Sequence, residues 1–137
     1  MSFALGGTSS SVCQLMDKGL CKKICDTQDF DMGAINHIGT NPNHYETDLS
    51  EYANAANKGA LVNKLDFVVL FALEIDTKFN VNVLTGSDGV LRGAPGGHPD
   101  AACGSKCTII VTPLTRGRMA TVCEDVVTVV TPGDCVD

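Results

Sequence analysis

No apolar run in this sequence is long enough to cross a membrane. The longest, Phe67 to Leu73, has seven residues, against the ~20 that a helical span needs. Residues 1–12, MSFALGGTSSSV, contain neither a basic leader nor a long apolar stretch, so no secretory signal is expected there. Tryptophan is absent, and no Asn-x-Ser/Thr sequon occurs. Basic residues are the minority, 10 Lys+Arg against 16 Asp+Glu, and a formal charge of −6 argues against a nucleic-acid surface or an anionic membrane surface. Neither a Walker loop nor a dinucleotide G-x-G-x-x-G is present, which disfavours nucleoside triphosphates and NAD. These absences lead to the expectation of a cytoplasmic, soluble protein with no membrane and no nucleic-acid partner.

What is there fits one domain: 137 residues, 44% of them hydrophobic, enough to bury a core without metal or disulfide staples. The seven cysteines, at 13, 21, 25, 103, 107, 123 and 135, are an odd number, which a closed disulfide framework would not use. Cys21/Cys25 and Cys103/Cys107 are C-x3-C pairs, not the spacing of structural zinc, and His98 supplies no matching partner. The cysteines therefore read as small buried hydrophobes, and no metal is expected. His37 and His44 have no partner at a recognised spacing and read as structural or surface residues.

Ser9–Ser11 followed by Val12, Leu15 and Met16 predicts a short amphipathic helix over about 10–18, closed by Gly19. Leu20, Ile24 and the lysine pair form a second turn or a short strand. Phe30, Ala34, Ile35 and Ile38 predict another helix within 28–38, and the polar stretch 39–60 reads as a long connection. From Leu65 the pattern changes. The run 66–75 predicts a strand covered on both faces, and Phe79, Val81 and Val83 predict an alternating one. A glycine-rich loop, 92–100, leads to a short helix near 99–105. Further strands are expected at 107–111, 120–123 and 126–130, with a loop at 113–118. The result is an α/β chain, helices first and then a mostly parallel buried sheet, with no internal boundary.

Two features point to chemistry. Between Gly89 and Ala120 the ionised residues are Arg92, Lys106, Arg116, Arg118 and Asp100, a local +3 in a chain whose remainder carries −9. Consecutive glycines at 96 and 97 allow close backbone approach, so the loop can aim N–H groups at an oxyanion, with His98 as a donor or proton carrier and Asp100 as a cap. A plain tight turn explains the same glycines. Glu74 and Asp76 share one strand face, most simply as solvated strand-end carboxylates, while Asn80 and Asn82 share another.

The stretches ALEID (72–76), FNVNVLTGSDGVLRG (79–93), GGH (96–98), PL-x-RGR (113–118) and VVTPG (129–133), with SFALGG (2–7), NPNH (41–44) and YAN (52–54), resemble the citrate lyase alpha subunit family along nearly the whole chain. The resemblance implies a CoA-transferase-like, three-layer α/β fold, truncated: 1–137 would be a single partial domain, part of the second transferase-like domain of a several-fold longer subunit. It implies a citrate CoA-transferase reaction in which acetyl-carrier and citrate give citryl-carrier and acetate. The expected partners are citrate, the acetyl or citryl thioester, the acyl carrier (gamma) subunit with its CoA-derived prosthetic group, and the lyase (beta) subunit; self-association through exposed edges is also expected. Gly96, Gly97 and His98 would form the oxyanion loop. Asn80, Asn82, Arg92, Asp100, Arg116 and Arg118 would bind substrate or CoA. Wider transferase relatives carry a catalytic glutamate near the position of Gly6–Gly7, and the glycines here fit a branch that does without it. Cys103 and Cys107 stand where the family usually has Ala and Leu. Little activity is expected of the isolated chain. The alternatives are a non-catalytic CoA- or anion-binding or assembly fragment, and another CoA-transferase or thioester hydrolase of the same fold.

Overall fold

Ile24 has no exposed surface, because it lies in the middle strand of a parallel sheet that the apolar periodicity of the first sixty residues does not announce. The computed structural model describes residues 1–135, and the chain divides into two compact units, Met1–Leu61 and Val62 onward. The first unit runs β1 (Ala4–Thr8), α1 (Ser10–Asp17), β2 (Ile24–Asp29), α2 (Met32–Ile38), β3 (His44–Glu46) and α3 (Leu49–Ala53). Its strands lie in the order β1-β2-β3, all parallel, with Ala4 opposite Ile24 and Ile24 opposite His44. Parallel neighbours need crossover connections, which α1 and α2 supply. Cys13, Met16, Cys21, Ile24 and Ala34 form the core, with Ala4, Val12 and Leu15 packed on it.

One carboxylate sets the helix entries. Asp31 Oδ1 accepts from the Ala34 amide at 2.9 Å, capping α2, while Oδ2 accepts from the amide and hydroxyl of Ser10 at 2.9 and 3.0 Å, where α1 begins. Donation from both helix starts holds the Asp31 carboxyl below the ordinary range.

The helix expected over 10–18 is present, ending one residue earlier. That expected over 28–38 begins only at Met32, because residues 24–29 are strand; Ala34 is fully buried, but Phe30 is 63% and Ile35 45% exposed. Phe30 lies against the β1 glycines, and a Cβ on Gly7 would run into its ring. Within the expected connection 39–60 stand β3 and α3, whose buried residues, His44 and Tyr52, leave no aliphatic periodicity to read.

At the boundary lies a 3-10 turn, Leu61–Lys64. The second unit follows with β4 (Val68–Leu70), β5 (Glu74–Asp76), β6 (Val81–Asn82), α4 (His98–Gly104), β7 (Thr108–Ile110), β8 (Thr115–Arg116), β9 (Met119–Ala120) and β10 (Val122–Cys123), then a 3-10 turn at Gly133–Cys135. Its sheets are small: β10-β5-β6, parallel then antiparallel; β4-β7, parallel; and the β8-β9 hairpin. The α/β character holds, and four of the six strand pairings among the described residues are parallel, but they are divided among short separate sheets, one of them mixed, in place of the single buried sheet expected from sequence.

The apolar run 66–75 breaks into β4 and β5, and Phe67, Val69 and Phe71 are 50–56% exposed, so this strand is not covered on both faces. Of this run only Ala72, Leu73 and Glu74 are buried, Ala72 with Val81 and Val83 in a small core. The expected strand 79–84 shrinks to two residues. Phe79 adopts φ +63° and its amide bonds to Asp76 O at 3.0 Å, which closes a turn. No strand forms over 126–130; Thr131 alone bridges Val81. No helix among the described residues is long and apolar enough to cross a membrane.

Cys103 and Cys135 are joined by a disulfide, S–S 2.08 Å, across 32 positions of sequence, which ties α4 to the terminal 3-10 turn. This corrects the reading of all seven cysteines as free. A pair so far apart leaves no local spacing to recognise. The remaining five are thiols, of which Cys13, Cys21 and Cys25 are buried as expected of small hydrophobes. Titration of the denatured, unreduced chain with a thiol reagent is therefore expected to count five groups, rising to seven after reduction; seven before reduction would rule out the bridge.

Candidate functional site

The strand β5 presents Glu74 and Asp76 to the same side, and both are buried, 2% and 4% exposed, rather than solvated as the sequence suggests. Buried carboxylates require donors. Glu74 Oε1 accepts from the Ser87 amide at 2.5 Å. Asp76 Oδ1 accepts from the amides of Lys78 and Asn80 at 2.9 and 3.0 Å, and Oδ2 from Asn80 Nδ2 at 3.0 Å. Although burial opposes ionisation, these donors hold the Asp76 carboxyl below its ordinary value. β5 thus anchors the 77–80 turn and the 84–92 loop.

In that loop, Gly89 adopts φ +74° and Thr85 bridges Leu91, which brings Arg92 back over Asp88. Arg92 Nη1 donates to Asp88 Oδ1 at 2.6 Å, and Nη2 donates to Oδ2, a two-pronged pair. The Arg92 guanidinium lowers the Asp88 carboxyl to about 2. The partners are 34% and 40% exposed, so the pair fixes the direction of Arg92 more than it stabilises the fold.

Arg116 comes from the β8-β9 hairpin. Its two-residue loop begins at Gly117, φ +57°, a backbone region that disfavours residues with a Cβ, and the tight turn sets Arg116 opposite Met119. Arg116 Nη2 donates to Ala72 O at 2.5 Å, its guanidinium lies 4.8 Å from the Phe71 ring centroid, and its buried Nε–H has no hydrogen-bond partner among the described residues. Arg92 and Arg116 line one cavity of about 170 Å³ with Leu73, Gly86, Met119 and Ala120. A Cβ on Gly86 would approach Arg92 Nη1 and Met119 Cε to 2.7 Å, so the glycine leaves room for both.

The other candidate residues fall elsewhere. Asn82 is fully buried; its Oδ1 accepts from Leu84 N and Thr85 N, and its Nδ2 donates to Thr85 O, so the amide shapes the turn. Asn80 holds Asp76 and accepts from Gly133 N at 2.9 Å. Gly96, φ +49°, and Gly97 lead into α4 and are not among the residues lining the cavity. His98 is buried with both ring nitrogens engaged: Nδ1 lies 2.7 Å from Thr131 Oγ1, and Nε2 2.9 Å from Phe71 O. A carbonyl only accepts, so the proton sits on Nε2; burial lowers the imidazole's pKa, which favours the neutral ring. Asp100 and Arg118 are exposed. Glu74, Gly86, Asp88 and Met119 complete the surroundings of the two arginines. Of these Glu74 was singled out from sequence, with Asp76, and Asp88 carries a signal in its position four residues before Arg92.

The second unit is thus an α/β unit carrying a guanidinium-lined cavity suited to an anion. Comparison narrows this. The family model "Citrate lyase, alpha subunit" matches residues 1–137. Citrate lyase alpha chains from Haemophilus influenzae and Escherichia coli K12 are 58% and 56% identical over 135 residues, 98% of this chain but 27% and 26% of theirs. The chain belongs to the citrate lyase alpha subunit family, and spans about a quarter of the length of these curated relatives. Among solved structures, one from Streptococcus mutans, described as an alpha subunit of citrate lyase in complex with citrate, superposes with a TM-score of 0.95 at 50% identity, over 99% of this chain and 27% of that one. A RipA mutant structure, TM-score 0.77 at 18% identity over 96% of this chain and 33% of that one, shares the fold.

Since the folded value of Asp88, about 2, lies below the ordinary 3.8, its pairing contributes fully above the unfolded value and is lost as pH falls toward 2. Carboxylate-carbon NMR is expected to show Asp88 titrating near 2, and shifted up toward 3.8 in Arg92→Ala. A wild-type midpoint at the ordinary value would contradict the pairing.

Proposed function

We propose that the cavity between Arg92 and Arg116 binds a carboxylate of citrate, and that this chain is part of a CoA-transferase-type acyl-carrier transferase. The observation that carries the reading is the buried Arg116 Nε–H, unpartnered on a guanidinium that lines a cavity with a second guanidinium. A buried donor left unmade costs roughly 1–3 kcal/mol, which a carboxylate oxygen would recover. Planar guanidinium groups take carboxylate oxygens in pairs, and a polycarboxylate gives two of them separate work. The related Streptococcus mutans structure contains citrate, which supports the same ligand here.

In the proposed reaction acetyl-carrier and citrate give citryl-carrier and acetate; one thioester and one free carboxylate stand on each side, so the exchange balances. The carrier's CoA-derived group supplies the thioester. Carboxylate attack on it builds negative charge on the carbonyl oxygen, and fixed main-chain donors stabilise such charge. Gly96 and Gly97 are offered for that role, with His98 pinning the loop to Phe71 O and Thr131. Arg118 and Asp100, exposed beside these elements, would meet the carrier arm, while Asn80 and Asn82 keep the cavity's supporting turns in shape. Acyl carrier and lyase subunits are the implied partners, in the cytoplasm.

Calorimetric titration of the chain with citrate tests the ligand. Each charge-assisted pair is worth about 1.5–3 kcal/mol, so Arg116→Ala and Arg92→Ala are each expected to weaken binding by roughly 10- to 100-fold. Arg116→Lys should recover little, because lysine cannot present the planar fork. Wild-type affinity in both alanine variants would overturn the assignment.

A further inference from the structure

The first unit contains a second cluster of chemistry-bearing side chains that the citrate reading does not use. Cys13 on α1, His37 in the last turn of α2 and His44 at the start of β3 place the thiol and one nitrogen of each ring within 4.8 Å of one another. Cys13 and His44 are buried and His37 is partly so. The two Nδ1 atoms are 2.8 Å apart.

A carboxylate lies beside the far nitrogen of each ring. His44 Nε2 lies 3.0 Å from Asp26 Oδ2, in a pair only 0% and 2% exposed, and His37 Nε2 lies 3.4 Å from Asp17 Oδ1. Nε2–H donation to Asp26 turns the His44 Nδ1 lone pair toward His37 Nδ1, and at 2.8 Å a cation or a proton must lie between the two nitrogens. A carboxylate on the far N–H is also how metal-binding histidines are oriented.

We propose that Cys13, His37 and His44 form a binding site for a zinc-type divalent cation, which clips α1, α2 and β3 together. Sulfur and imidazole donors select zinc or cobalt over magnesium or calcium. Three protein ligands leave a fourth position for water or an incoming donor. The clip is independent of the citrate assignment, since all three ligands belong to the first unit.

The competing arrangement is a metal-free hydrogen-bonded chain. In it His37 Nδ1–H donates to His44 Nδ1, and His37 Nε2 accepts from Asn41 Nδ2 at 3.3 Å. Cobalt(II) titration of the chelator-treated, reduced chain separates the two. Expected are one equivalent bound, visible bands of tetrahedral cobalt, a near-ultraviolet thiolate charge-transfer band, and displacement by zinc. Cys13→Ala is expected to abolish the charge-transfer band and His37→Gln, on the more exposed helix, to weaken binding at least tenfold, while Cys21→Ala leaves the spectrum unchanged. Zinc at about 100-fold over its Kd should raise Tm by roughly 5–10 °C, and Cys13→Ala, checked for folding by circular dichroism, should lose that rise. No stoichiometric binding, octahedral cobalt, or an unchanged spectrum in a folded Cys13→Ala variant would overturn the site and leave the hydrogen-bonded chain.

Discussion

Two buried carboxyl side chains on one short strand govern the second unit. Glu74 and Asp76 point inward from β5, and a carboxylate removed from water must be met by donors or it destabilises the fold. Here the donors are backbone amides of Ser87, Lys78 and Asn80, so desolvation forces specific loops to close on the strand. The loops in turn carry Asp88 and Arg92. A strand of three residues can hold this much irregular backbone because its polar groups, rather than a large apolar interface, fix the register.

The same logic explains why arginine, and not lysine, lines the cavity. Arg92 is aimed by both oxygens of Asp88; Arg116 is aimed by Ala72 O and the Phe71 face. A lysine satisfies neither geometry, because it presents a point charge on a flexible stem. Gly117 and Gly86 are the permissive elements, one for the left-handed turn that returns the hairpin, the other for the space two long side chains need.

Much of this was legible in the sequence, but unevenly. The +3 segment, the RGR tripeptide and the 79–93 stretch led to Arg92 and Arg116, and the cavity unites those two. Helix α4 was read from the glycine-rich loop that leads into it, while periodicity located α1 and part of α2 because an amphipathic turn leaves an apolar repeat. It failed for β1, β3 and α3, whose packing rests on glycines, His44 and Tyr52, residues that carry no aliphatic pattern. It also misjudged Glu74 and Asp76, because burial of a carboxylate depends on loop amides that are distant in sequence. The Cys103–Cys135 bridge and the Cys13–His37–His44 cluster lie beyond any spacing rule for the same reason: tertiary structure, not local repeat, brings them together.

The central claim is that the loop held by β5 and the β8-β9 hairpin direct two guanidinium groups at one anion. A crystal structure of the chain with citrate tests it most directly. The account requires one carboxylate within hydrogen-bond distance of Arg116 Nε and a second contact from Arg92. Citrate bound elsewhere, with Arg116 Nε still unpartnered, would contradict it.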